Sequence, residues 1–119
     1  SDSALRELER HREQARAGLR ILIQVNVARE PGKAGVLPEE LAGFLERAPV
    51  PVAGLMTMPP LTRWPISDRS RESRRWFAAL RELAQTHGLS ELSMGTSQDY
   101  PVAVAEGATI VRIGSSLFV

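Results

Sequence analysis

Apolar, β-branched runs alternate with helical patterns along the whole chain, and this alternation limits the fold more than any other feature. The helical stretches are "SDSALRELERHREQ", "PEELAGFLERA", "DRSRESRRWFAALRELAQTHG" and "SQDYPVAVAEG"; between and after them come "RILIQVNV", "VPVAGLMTM", "LSELSMG" and "ATIVRIG". The order α-β-α-β-α-β-α-β, with no linker inside it, argues for a parallel sheet with helical crossovers. Pro38 at a first-turn position, two following glutamates and the stop at Gly88 mark helix boundaries, and Gly18 is a natural stop for the first helix. Trp76, Phe77, Leu80 and Leu83 form the apolar face of the long helix.

Two architectures share this pattern: an open doubly wound sheet and part of a (β/α)8 barrel. In "ILIQVNV", Ile21, Ile23, Val25 and Val27 share one face, and Leu22, Gln24 and Asn26 share the other. In "TIVRI", Val111 and Ile113 oppose Ile110 and Arg112. A parallel strand covered by helices on both faces is apolar throughout. Here one face carries Gln, Asn and Arg toward the strand's C-terminal end, where the mouth of a barrel lies. A barrel is favoured, although an open sheet with a ligand at its switch point has the same signature. The chain of 119 residues reads as a single domain, residues 1–119, holding about four βα units. Whole barrels take about 250 residues, so the expectation is an incomplete barrel with bare outer edges.

A formal net charge of +1 gives no electrostatic case for nucleic acid or an anionic membrane. The arginines of "DRSRESRR" are interleaved with Asp68 and Glu72 and read as the solvated start of a helix. With no cysteine there is neither a disulfide framework nor a thiolate metal site, and His11 and His87 lack metal-ligand spacing, so no metal is expected. No apolar run approaches the ~20 residues of a membrane span. A cytoplasmic location is the expectation.

Two strand ends carry residues that packing does not call for. In "SMGTSQD", Gly95 permits a close turn, and Thr96 and Ser97 precede a helix. They read either as an N-cap reinforced by Asp99 or as an anion cradle of free N–H groups and a hydroxyl. In "VRIGSS", Arg112 lies in an otherwise apolar run, where a guanidinium needs a carboxylate, a phosphate or a ring acceptor. Gly114 then opens the backbone to a ligand, and Ser115 and Ser116 offer N–H and O–H donors. Barrel enzymes often bind phosphate in the loops after their last two strands, and these motifs lie one helix apart, so together they read as two halves of a phosphate cup. Met56, in "GLMTMPP", is placed either beneath a flat ring or in the core. No nucleophile–base pair stands out, and the single lysine, Lys33, reads as an exposed turn residue of "EPGKAG".

The segments "ILIQVNVAREPGKAGVLPEEL", "VAGLMTM", "RRWFAALREL" and "LSMGTSQDYPVAVAEGATIVRIGSSLF" resemble the YggS/PROSC family of pyridoxal-phosphate homeostasis proteins, whose fold is the alanine racemase N-terminal barrel. The resemblance implies a (β/α)8 barrel that binds pyridoxal 5′-phosphate at its C-terminal mouth, of which this chain matches only the C-terminal part, without the N-terminal strands. It implies storage or delivery of the cofactor, influence on amino- and keto-acid balance, no established catalysis, and PLP-dependent apoenzymes as partners. Carried onto the matching motifs, it assigns phosphate binding to Gly95, Thr96, Ser97, Gly114 and Ser115, places Arg112 at the cofactor, and has Asn26 and Met56 line the pocket. The family's lysine for covalent attachment belongs to a first-strand "SK" context that nothing here matches, so that role is not given to Lys33. Thr96 replaces a more usual methionine, and Pro101 sits in the phosphate helix. Two alternatives stay open: a fragment of a pyridoxal-phosphate-dependent amino-acid racemase, and a non-catalytic half-barrel that pairs with the missing half or with another copy of the chain.

Overall fold

Helix and strand form where the two periodicities change over. A computed structural model describes residues 2–14, 19–60 and 66–114. α1 spans Asp2–His11 and runs into a single 3-10 turn, Arg12–Gln14; the stop expected at Gly18 lies outside the described residues. The run after Arg20 extends as β1, Ile21–Gln24. A 3-10 turn at Pro38–Glu40 opens α2, Leu41–Arg47; Glu40 reaches back to the Leu37 N–H at 2.8 Å, so the entry turn closes on its own acid. β2 is Val52–Met56, α3 is Ile66–Thr86, β3 is Glu91–Ser93, and α4 is Tyr100–Ala105.

The three strands among the described residues are parallel, in the order β1-β2-β3, so each crossover helix returns the chain to the next position in the sheet. The fourth strand expected over "ATIVRIG" is reduced to a parallel bridge between Ser93 and Ile110. Its backbone still runs beside β3: Ile110 N–H donates to Leu92 C=O at 3.1 Å, and Met94 N–H donates to Ile110 C=O at 3.1 Å. The segment therefore takes the fourth sheet position without a full ladder.

Register decides which residues are buried. Ile23 pairs with Leu55 and Leu55 with Leu92, so one row of the sheet is wholly aliphatic and points into a core shared with Leu41 and Phe44 of α2 and Phe77, Leu80 and Ala84 of α3. Trp76 and Leu83 pack at its margin. The next row, Gln24–Met56–Ser93, faces the other way. Gly54 lies between Leu22 and Glu91 in the sheet, and a Cβ there would stand 1.9 Å from the Glu91 carbonyl oxygen. Only glycine permits β2 and β3 to approach this closely.

Two features brace the loop after β1. Asn26 Nδ2 donates to the Glu30 C=O at 2.9 Å, and Glu30 N–H donates back to Asn26 Oδ1 at 3.0 Å. Arg29 pairs with Glu39 at 2.7 Å; this hydrogen bond, more than the bare attraction of charges, holds the Glu39 carboxyl below its ordinary range and the guanidinium above its own. The pair is fully solvated, so salt screens it. A depressed carboxyl contributes above its unfolded-state value, and that contribution fades as acid protonates Glu39.

Gly54→Ala is expected to lower stability by about 1–3 kcal/mol, the cost of overpacking. Urea unfolding followed by circular dichroism checks it; a midpoint equal to the wild type would mean that β2 and β3 can separate without loss.

Candidate functional site

The cleft at the C-terminal ends of the strands is built from two short stretches joined by α4. β3 delivers Met94, fully buried, and then Gly95, whose φ of +104° suits glycine and turns the chain toward α4. A Cβ on Gly95 would meet the Ala103 Cβ at 2.7 Å, so glycine is also what lets α4 lie directly on the turn. The cap differs from the sequence expectation. Asp99, not Thr96 or Ser97, occupies the N-cap position, and it makes no side-chain cap bond to the helix. Its carboxylate instead accepts from the Thr96 N–H at 2.6 Å and the Thr96 hydroxyl at 3.1 Å. The acid is thereby held within its own turn.

The second stretch arrives along β3. Arg112 N–H donates to the Gly95 C=O at 3.0 Å, and Gly114 N–H donates to Ser97 Oγ at 3.2 Å. The two motifs, separated by α4 in the sequence, touch each other directly. The Arg112 side chain crosses to the end of β2, where Nη2 donates to the Thr57 C=O at 3.1 Å; its Nε is buried and has no hydrogen-bond partner among the described residues.

Between these groups opens a cleft of about 330 Å³, within the size range of small-molecule sites. It gathers five of the residues singled out in the sequence: Gly95, Thr96, Ser97, Arg112 and Gly114. Ser115 lies outside the described residues. Asn26 is occupied in bracing its own loop, and Met56 ends β2 in the Gln24–Met56–Ser93 row; neither borders this cleft. Met58 and Pro59 border it instead. The period-2 pattern held a signal for Met58, which is two residues beyond Met56 toward the strand's C-terminal end. Thr57 was missed altogether. Lys33 is distant from this chemistry, paired with Glu30 at 3.4 Å and bordering a separate cavity beside β1. No group of acids and histidines suited to a metal occurs among the described residues, and no helix among them is long and apolar enough to cross a membrane.

The alanine racemase N-terminal domain model matches residues 1–119. The chain belongs to the alanine racemase N-terminal domain family. Within that family it is of the YggS/PROSC type, as the motifs implied. It is 45% identical over 108 residues to the pyridoxal phosphate homeostasis protein of Aquifex aeolicus, covering 82% of this chain and 45% of that protein. It is 40% identical over 123 residues to the one from Pseudomonas aeruginosa, covering 96% and 51%. The chain thus spans about half the length of the curated relatives it matches. PipY of Synechococcus elongatus, solved without PLP, superposes with a TM-score of 0.74 at 35% identity over 100% of this chain and 58% of that one. PipY solved with PLP bound gives 0.62 at 37% identity over 84% and 49%. The parallel sheet is therefore that of the barrel-like alanine racemase N-terminal fold.

In this family member the Gly95 turn carries a specific expectation. Gly95→Ala adds left-handed strain and a clash with Ala103, at a cost of about 1–3 kcal/mol. Thermal unfolding of Gly95→Ala beside wild type measures it; no loss would mean that α4 does not rest on the turn.

Proposed function

We propose that this chain forms the phosphate-holding part of a pyridoxal 5′-phosphate homeostasis protein, which stores the cofactor and passes it to PLP-dependent apoenzymes in the cytoplasm. The hydrogen bond from Gly114 N–H to Ser97 Oγ carries the proposal, because it closes two glycine–hydroxyl motifs around one cleft that also contains a guanidinium. The chain is read as the C-terminal portion of the barrel, about four βα units, lacking the strand that bears the covalent lysine.

The residues present fit a phosphate. A dianion needs fixed donors and a positive charge. Arg112 provides the charge. Its anchorage on Thr57 fixes the fork, and its buried Nε still requires an acceptor. Among the described residues nothing lies within 4 Å of a Cβ on Gly114, so the backbone there leaves room on that side. Asp99, the one acid at the cleft among the described residues, is turned back on its own loop through Oδ1, which accepts from Thr96. Ser115 is assigned to the same phosphate. Asn26 and Met56, which do not border the cleft, are assigned to the ring side. When bound, the cofactor supplies an aldehyde and an electron sink; the residues of this chain bind and orient its phosphate. PipY has been solved with PLP bound, which supports the reading.

The test is a titration of the protein, as expressed from its gene, with PLP followed by absorbance. Arg112→Ala removes a charge-assisted contact of about 1.5–3 kcal/mol, so affinity should fall by roughly 10- to 100-fold. Inorganic phosphate should compete. Unchanged affinity in Arg112→Ala, or no competition by phosphate, would overturn the assignment.

A further inference from the structure

Glu106 sits where α4 ends, and it is buried although it is an acid. Arg74 Nη1 donates to one carboxylate oxygen at 2.7 Å, and Arg81 donates to the other. The two arginines lie seven residues apart on α3, two turns along one face of the helix, and so grip the carboxylate from both sides. A buried carboxylate held in this way resists displacement, since release would leave the charge desolvated and unpaired.

Its place in the chain gives the grip a purpose. Upstream, α4 leads back to Gly95–Asp99, one wall of the cleft; downstream, the turn at Gly107 leads to Arg112–Gly114, the other wall. α4 has six residues, a proline in its first turn and no side-chain cap bond. A helix this short does not hold its own position. Tertiary contacts must do so, and among them are Ala103 and Tyr100 against the Gly95 turn and Glu106, just past the helix, against α3.

We infer that Glu106 is a positioning residue for the cleft: clasped by Arg74 and Arg81, it ties the connector between the two walls to α3 and so sets the spacing of Ser97, Arg112 and Gly114. As far as the ligand is concerned this rests on the phosphate reading above, whereas the clasp itself does not.

The test compares Glu106→Gln, which keeps the shape and removes the charge, with Leu5→Ala, a core substitution in α1 remote from the cleft. Three quantities are read: the unfolding midpoint, PLP affinity, and amide exchange at Tyr100 and Arg112, whose N–H groups bond Thr96 and Gly95. With both variants compared at matched stability, Glu106→Gln should weaken PLP binding about tenfold and accelerate exchange at both amides by a similar factor. Leu5→Ala should do neither. Wild-type affinity and exchange in Glu106→Gln would overturn the inference, and so would faster exchange without weaker binding in a protein that binds PLP. If the wild type itself binds no PLP, the homeostasis reading fails, and the exchange data alone decide whether the clasp holds both walls.

Discussion

Thr57 joins the ends of all the strands, and the cleft depends on that junction. Its N–H donates to the Ser93 C=O at 3.1 Å, its hydroxyl donates to the Val25 C=O at 2.8 Å, and its carbonyl accepts from Arg112. One buried residue thus binds the continuation of β1, the end of β3 and the segment beyond it to the end of β2. Thr57 is out of reach of water, so its bonds also remove a desolvation cost. Parallel strands bring their C-terminal ends to the same edge of the sheet, and here a single hydroxyl residue satisfies several of the polar groups there at once.

From that junction the cleft follows by short steps. Arg112 is held at its backbone by Gly95 and at its side chain by Thr57, and it lines the cleft together with the Gly95–Asp99 turn. Ser97 closes on Gly114, and Asp99 is spent on Thr96. The polar groups are therefore arranged before any ligand arrives. If the cleft takes the proposed phosphate, little ordering remains to be done on binding.

How much of this was legible beforehand varies by residue. The order of helices and strands, the stop at Gly88 and the helical start at Pro38 were readable, because each rests on local chemistry: periodicity, a ring that fixes φ, a residue free to turn. The facing of β1 was readable for the same reason, with Ile23, Val25 and Val27 buried as the alternation required. The pairing of "SMGTSQD" with "VRIGSS" was suggested by their glycines and hydroxyls. Thr57 gave no such signal, since a threonine at a strand end is ordinary until its three partners are known. Glu106 was likewise invisible, for its two arginines lie 25 and 32 residues away.

The sequence alone determined the alternation, the polar strand face and the residue types that a phosphate site needs, since all of these depend on neighbours within a few residues along the chain. Tertiary structure decided which of those residues meet. It brought Ser97 to Gly114, kept Asn26 in its loop and Met56 away from the cleft, admitted Met58, and turned Asp99 back on Thr96. The physical reason is that hydrogen bonds and buried charge pairs act over about 3 Å, and contacts between residues far apart in sequence come within that range only once the sheet register and the packing of α3 and α4 are set.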